Sequence, residues 1–589
     1  MTQWEIDHQR AGVRFVCQNA PYDLGFGALD GVPVPPLVDD TTCMANMIDE
    51  QRQSFSLNSL CEWWGIPGKD DGLMLEALSA YGWPTDAKQR MSHVWRLPAR
   101  YVGPYAEQDA AATLRLADLM DPEIDRQDVR AAYQLEMDLL PMVHEMRRRG
   151  IRVNLGAAER AQIIFRERRE AALRDLSEKL GRTTGIDDLR RNAWLDETFT
   201  RHRIPFTRGA DDEDRNRGVG SFEAKWMRRN PHWLPQLVCR AKAAEDAAEK
   251  FLGTYVMGFA HAGNGREARI HASINQFRGE DGGTRTYRFS YADPPLQQIP
   301  HRDEEAAALI RGVFLPEPGE WWLSADFSQQ EFRLIVHFAE RLGLSRADVA
   351  AQKYRDDPRT DFHSMVAEMT GLDRKPAKDA NFAQSFGAGK EKFAAMINKS
   401  VEEAERILAQ YNQELPCVRE LSELCQKSAE RRGYVLLLDR ARIHFNTWEP
   451  TWLSKEERRR GWSSGGKIKM GDCSLQDAHE RVADRGHPWY RKRLRRAKCR
   501  KAMNAKIQGS AARMTKLAMR ACWRAGHVPL IQLHDELGVS VSEKRQCDEV
   551  CEIMRSVVKL NVPMLVDAEV GKDWGDAKHK WEDRGEPSN

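Results

Sequence analysis

The sequence predicts an α+β fold divided among several domains, and three observations carry that expectation. The chain has 589 residues, more than one hydrophobic core organises. Residues 155–262 are mostly helical and highly charged, and from about residue 270 onward short apolar strand segments alternate with helices. A mean hydropathy of −0.64, with no apolar run near the roughly 18 residues of a spanning helix, excludes a helical membrane protein. MTQWEIDHQR at the start lacks the basic and then apolar layout of a signal peptide, so the expected location is cytoplasmic. Eleven cysteines without a CxxC pair read as reduced thiols rather than as a disulfide framework or zinc site. Cys547 and Cys551 lie one helical turn apart, but no histidine stands beside them to complete a metal site.

Along the chain, residues 1–120 are rich in turns (GVPVPP, 31–36), end in the helical segment YAEQDAAATLRLADLM, and suit a small mixed domain. VRAAYQLEMDLLPMVHEMRRRG predicts a helix closed by Gly150, with three arginines where a helix C-terminus favours cations. Residues 155–262 predict long helices interrupted by RGADDEDRNRGVG (208–220), expected to be a mobile loop, so that this part projects as an arm. WWLSADFSQQEFRLIVHFAE (321–340) reads as strand, turn and helix, and VPLIQLHDELGVSV (528–541) as a hairpin with its charges at the bend. Ninety basic side chains against 88 acidic leave the whole nearly neutral. Between Lys455 and Lys501, however, sixteen basic residues accompany six acidic ones, a local charge of +10.

Asp326 follows an apolar strand, and Asp535 sits at a hairpin turn between His534 and Glu536. Carboxylates at strand ends are costly to bury without compensating cations, so neighbouring strands would let Asp326 and Asp535 share hard divalent ions. Alternatively, Asp326 or Ser328 caps the following helix, since Ser328 and Glu331 match the S-x-x-E capping box. In RKPAKDANFAQSFG (374–387), Arg374, Lys378, Phe382 and Phe386 recur every four residues and form one helical stripe. Cations at a helix N-terminus oppose the macrodipole, which suits a bound anion such as a triphosphate. A surface helix with phenylalanines in the core fits equally well.

Taken together, DFSQQEFRL (326–334), RKPAKDANFAQSFG and QLHDEL (532–537) resemble the A, B and C motifs of family A DNA polymerases. TYRFSYADPPLQQIPHR (286–302), DFH (361–363), GYVLLLDRAR (433–442) and NAKIQGSAA (504–512) agree, and the resemblance covers about 125–589. It implies a right-hand fold of palm, thumb (about 155–262) and fingers (about 345–500). It also implies two Mg²⁺ ions, with Mn²⁺ a possible substitute, held by Asp326, Asp535 and the Phe327 carbonyl, with Glu536 beside them in the catalytic group. Arg374, Lys378 and His363 would clamp the phosphates of a dNTP. Glu331 would exclude a 2′-hydroxyl, Phe382 would stack beneath the nucleotide, and Phe386 would lie in the same pocket. Arg288, Arg500, Asn504, Gln508 and His534 would contact primer–template DNA. Phe327 and Phe386 stand where the family usually has tyrosines, and Ala383 where bacterial members have glycine. The segment 446–501 is longer than its bacterial counterpart.

The N-terminal part resembles the proofreading 3′-5′ exonuclease domain of such polymerases. QNAPYD (18–23) resembles its second motif and YAEQD (105–109) its third, giving Asp23, Tyr105 and Asp109. The first motif, D-x-E, is not found, so the expectation is an incomplete exonuclease-like domain, RNase H-like and α/β, over 1–122, a polymerase domain over 123–589, and no proofreading by this chain alone. The expected enzyme is a DNA-directed DNA polymerase in replication or repair, in a bacterial or phage-infected cell. A processivity factor or an exonuclease-completing chain stays open. An RNA polymerase of the same architecture is disfavoured by Glu331. A catalytically dead DNA-binding scaffold is disfavoured by retention of the carboxylates and of the Arg374/Lys378 pair.

Overall fold

The computed structural model describes residues 7–8, 12–68, 70–86, 89–206, 220–262, 268–279, 282–301, 303–371, 373–374, 377–378, 381, 390–397, 399–454, 456–457 and 471–587. The 208–220 loop is therefore outside the described residues except for Gly220, and Phe382, Ala383 and Phe386 lie outside them as well. Helices and strands are mixed throughout.

The N-terminal part begins with a parallel pair, β1 (Phe15–Cys17) and β2 (Val38–Asp40), connected through α1 (Ala20–Leu29). Asp40 ends β2 and caps α2 (Thr41–Ile48) by accepting from Thr42 N at 2.7 Å and Cys43 N at 3.3 Å. α2 is buried along its whole length, and its cysteine and methionines share one core with α3 (Ala99–Arg126), α4 (Arg130–Arg149) and later helices. Glu50, fully buried after α2, is hydrogen-bonded to His444 Nδ1 at 2.7 Å. Burial alone would discharge both groups. Their mutual attraction outweighs it, holding Glu50 below the usual carboxylate range and His444 above the usual imidazole range.

Gly150 ends α4 as expected, at φ +66°, where a Cβ would meet Ile270 O at 2.8 Å. β3 (Ile151–Val153) then enters a four-stranded sheet with β4 (Ala260–Ala262), β5 (Ala268–Ile270) and, further along the chain, β8 (Phe314–Leu315). Between β3 and β4, α5 (Leu155–Leu180) packs against α6 (Trp233–Glu245) and the π-helix Asp246–Met257 that continues it. The far part of this arm has its own small core around Leu176, Leu195, Phe199 and Leu237. The hairpin β6–β7 (Ser273–Asn275 and Ser290–Ala292) follows.

The central antiparallel sheet contains β9 (Trp321–Phe327), and α7 (Gln330–Arg341) leaves its end. Here a sequence expectation is corrected. Gln329, at φ +51°, and not Ser328 occupies the N-cap of α7, without a side-chain cap bond. Its amide is used elsewhere, accepting from Phe362 N at 3.1 Å and donating to Thr360 O at 3.2 Å. That tie brings α8 (Phe362–Thr370) against the turn. Beyond α9 (Val401–Glu414) and α10 (Pro416–Arg432) comes the hairpin β10–β11 (Tyr434–Leu436 and Arg442–His444). In the basic segment β12 (Trp448–Pro450) pairs with β13 (Leu494–Arg496), enclosing α11 (Leu475–Ala483). α12 (Ala502–Arg524), β14 (Ile531–Leu533), β15 (Glu536–Val541), α13 (Lys544–Ser556) and β16 (Val566–Gly571) complete the chain.

All eleven cysteines are free thiols, and all but Cys17 are buried. Among the described residues no helix is long and apolar enough to cross a membrane.

Candidate active site

The central sheet has strand order β14-β15-β9-β16, so Asp326 at the end of β9 has a neighbour on each side. Glu536 lies directly opposite it on β15 and Asp567 opposite it on β16. Residues opposite one another in an antiparallel pair share a face. The alternation sends Leu323, Ala325 and Phe327 into the core beneath and leaves Ser324 and Asp326 on the other face. β14 and β15 form the predicted hairpin, with a two-residue turn of His534 and Asp535. Phe327 N donates to Asp535 O at 3.3 Å, which sets the turn beside the end of β9. His534 takes φ +57°, a left-handed conformation uncommon for a non-glycine residue, and its carbonyl accepts from Gln532 Nε2 at 2.6 Å.

Four carboxylates thus meet at one sheet end, and their electrostatics follow. Asp326 is pushed up to about 8, first by burial and then by Asp535, Glu536 and Asp567. Asp535 is also raised, chiefly by burial, against the opposing pull of its own backbone N–H, His534 and Arg288. Asp326 Oδ1 is buried without a hydrogen-bond partner, and among the described residues no lysine or arginine forms an ion pair with Asp326 or Asp535. A buried oxygen left in this state amid like charges is short of a cation, and an all-oxygen donor set suits a hard divalent ion.

Glu536 is already anchored. Its Oε1 accepts from Ser324 Oγ and from Trp574 Nε1, the latter at 3.2 Å. Trp574 in turn stacks on Trp322 at 5.6 Å, beneath Gly538, where a Cβ would come within 2.7 Å of the Trp322 ring. Asp567 was not singled out by sequence. The acidic alternation in VDAEVG hints at it, but only the strand order sets it opposite Asp326.

Around this centre the structure assembles several of the other predicted residues. Glu331, in the first turn of α7, accepts from Arg288 Nη2 at 2.9 Å. Burial raises its carboxyl, Arg288 opposes that, and Asp535 adds to it. His534 is lowered by burial and by Arg288, with Asp535 and Glu536 opposing.

A second group gathers at the start of α8. Arg374 donates to Asp361 at 2.5 Å, and Asp361 also caps α8 at His363 N. His363 is buried and pushed down to about 4, by burial and by the charges of Lys378 and Arg374 against that of Asp361. Asn381 Nδ2 lies 3.0 Å from its Nδ1. Asn504 and Gln508 are half-buried, one turn apart on α12, and Arg500 is exposed just before that helix.

In the N-terminal part Asp23 and Asp109 line one cavity of about 520 Å³ together with Cys17. Asp23 is pushed up to about 6 by burial and by Asp40. Tyr105 does not line that cavity. One helical turn before Asp109, it packs against the separate cluster of Met74, Leu78 and Val94.

The family profile described as DNA polymerase family A matches residues 227–576. A DNA-directed DNA polymerase of Pseudomonas phage M6 is 29% identical over 95% of this chain and 82% of its own. DNA polymerase DpoZ of Salmonella phage PMBT28 is 29% identical over 75% of each chain. The thermostable DNA polymerase I of Thermus filiformis is 26% identical over 83% of this chain and 53% of its own. Among solved structures, the POL domain of Pol1 from M. smegmatis, in complex with DNA primer-template and dNTP, has the same fold, with a TM-score of 0.71 at 22% identity over 96% of this chain and 87% of that one. The match to more than half of the chain, over the segment that builds the carboxylate-bearing sheet, means that the protein belongs to DNA polymerase family A and is a DNA-directed DNA polymerase.

Proposed function

We propose that the enzyme adds deoxynucleotides to a primer 3′ end on a DNA template, in replication or repair, with Asp326, Asp535 and the Phe327 carbonyl holding two Mg²⁺ ions. The reading is carried by the unpartnered, buried Oδ1 of Asp326 among three further carboxylates. Bound there, the ions would activate the primer hydroxyl and neutralise charge on the triphosphate. Mn²⁺, another hard divalent cation, substitutes. The chain's own residues do the positioning. Arg374 and Lys378 supply positive charge to the phosphates, and His363, neutral at physiological pH, joins them in the clamp. Phe382 stacks under the nucleotide, with Phe386 beside it. Arg288, Arg500, Asn504, Gln508 and His534 hold the primer–template end, chiefly by shape. The reaction takes place in the cytoplasm of a bacterial or phage-infected cell. Primer extension with labelled dNTPs on a defined template tests the assignment, and extension that ignores the template sequence would refute it.

Glu331 sets sugar choice in this reading, because its carboxylate is held at a fixed place by Arg288. Glu331→Ala opens that space and should raise the rNTP-to-dNTP ratio of kcat/KM by at least about tenfold. A flat ratio would leave Glu331 as no more than a partner for Arg288.

The N-terminal unit, by contrast, does not shorten DNA on its own. Among the described residues two carboxylates, Asp23 and Asp109, line its cavity. The adjacent Asp40 spends its oxygens on the N–H groups of Asn19, Ala20, Thr42 and Cys43. Two-metal hydrolysis needs more ligands than that. Incubation with a labelled, 3′-mismatched duplex, Mg²⁺ and no dNTPs should leave it intact. Stepwise shortening that Asp109→Ala removes would contradict this.

A further inference from the structure

We propose that the β12–β13 ribbon and the residues leading from it into α12 form a binding track for the unpaired template strand. The inference rests on the reading of Asn504 and Gln508 as primer–template contacts.

The ribbon is a built unit. Cys473, Ala478 and Trp489 form a small core against Trp448 and Leu494. It is also fixed to the body through Arg496. That guanidinium donates to Phe445 O at 2.9 Å, lies 4.8 Å over the Trp448 ring, and occupies the space above Gly433, where a Cβ would come within 2.8 Å of it.

The local excess of positive charge is then divided. Lys492, Arg495 and Lys498 are spent on Glu457, Glu449 and Asp472, at 2.6, 2.8 and 2.9 Å. Arg491, Arg493, Arg500 and Lys501 are exposed and have no carboxylate partner among the described residues. They follow one path, since β13 passes through the 3₁₀ turn Cys499–Lys501 directly into α12, whose first turns carry Asn504 and Gln508.

The outer end of the path carries Trp452, 63% exposed, beside Lys492 Nζ at 4.9 Å from its ring. Cations can hold any phosphate backbone, but an exposed indole among them offers a stacking surface, which only a strand with unpaired bases can use. The occupant is therefore single-stranded DNA that reaches the active site past the N-terminus of α12.

The test measures binding of the full-length enzyme, by fluorescence anisotropy, to a primer–template with a 5′ overhang and to its blunt-ended counterpart. Arg491→Ala/Arg493→Ala and Trp452→Ala should each weaken overhang binding by about tenfold and leave blunt-end binding unchanged. The double arginine variant should also reduce the log–log salt slope on the overhang by about 1.4. These side chains are exposed, and an unchanged melting curve confirms folding. Equal losses on both DNAs would mean that duplex occupies the track, and loss on neither would mean solvated charge. Either result overturns the proposal. Primer extension by the same preparations separates this from the active-site reading: wild-type enzyme that binds DNA but does not extend it refutes that reading and not the track.

Discussion

Asp326→Ala should slow nucleotide addition by more than about a thousandfold, a loss of at least ~4 kcal/mol of transition-state stabilisation, while primer–template affinity changes little. The two effects separate because of where the residue sits. Asp326 lies at a sheet end among Asp535, Glu536 and Asp567, and in the proposed mechanism it holds ions that serve the reaction. DNA affinity comes from many separate phosphate contacts elsewhere. Removing one of four crowded carboxylates also relieves repulsion, so the variant should fold at least as well as wild type. Single-turnover extension and a binding titration on the same preparation check both halves. Near-normal extension, or a collapse of DNA binding equal to the loss of rate, would contradict the assignment.

Glu136→Ala should destabilise the enzyme by about 3–5 kcal/mol, a large share of the ~5–15 kcal/mol typical of folded domains. Glu136, on α4, is fully buried and accepts from Arg513 Nη1 and from Lys516 Nζ, the latter at 2.6 Å. Arg513 also donates to Asp439 at 2.6 Å and to Ala132 O at 2.7 Å, and Lys516 to Gln276 O at 2.5 Å. α4, α12, the β6–β7 hairpin and the β10–β11 turn therefore meet on one carboxylate. Lys516 is already pushed down to about 8 by burial and by Arg513, with Glu136 opposing. Without Glu136, Arg513 keeps Asp439 while the buried Lys516 loses its carboxylate. Glu136→Gln, which keeps the shape and some of the hydrogen bonds, should cost less. Guanidinium denaturation followed by circular dichroism reads both variants, and an unshifted midpoint for Glu136→Ala would contradict the role. Because α12 also carries Asn504 and Gln508, extension by Glu136→Ala should fall with stability.

Much of the candidate site could be read in the sequence because its residues sit in local patterns. An apolar strand ending in Asp326 and a hairpin with charges at its bend follow from alternation alone, and the register then brings Asp326 and Asp535 together. What could not be read depends on contacts distant in the chain. The capping box at Ser328 has the right letters, yet the turn is set by Gln329 bonding to Thr360 and Phe362, more than thirty residues away. Glu136 meets Arg513 across 377 positions, and Glu50 meets His444 across 394. Nothing local distinguishes those buried charges from solvated ones. The basic segment was visible as composition, but which of its cations are paired depends on partners such as Glu449 and Asp472, brought near by the ribbon.

Counting bound Mn²⁺ by electron paramagnetic resonance, in a mixture of enzyme, dideoxy-terminated primer–template and matching dNTP, tests the carboxylate assignment most directly. Affinity should weaken as pH falls below about 8, because Asp326 without a metal then takes up a proton that the ion must displace. The predicted count is two ions for the wild type, with at least one lost in Asp326→Ala and in Asp535→Ala. An unchanged count in either variant would mean that the metals are held elsewhere.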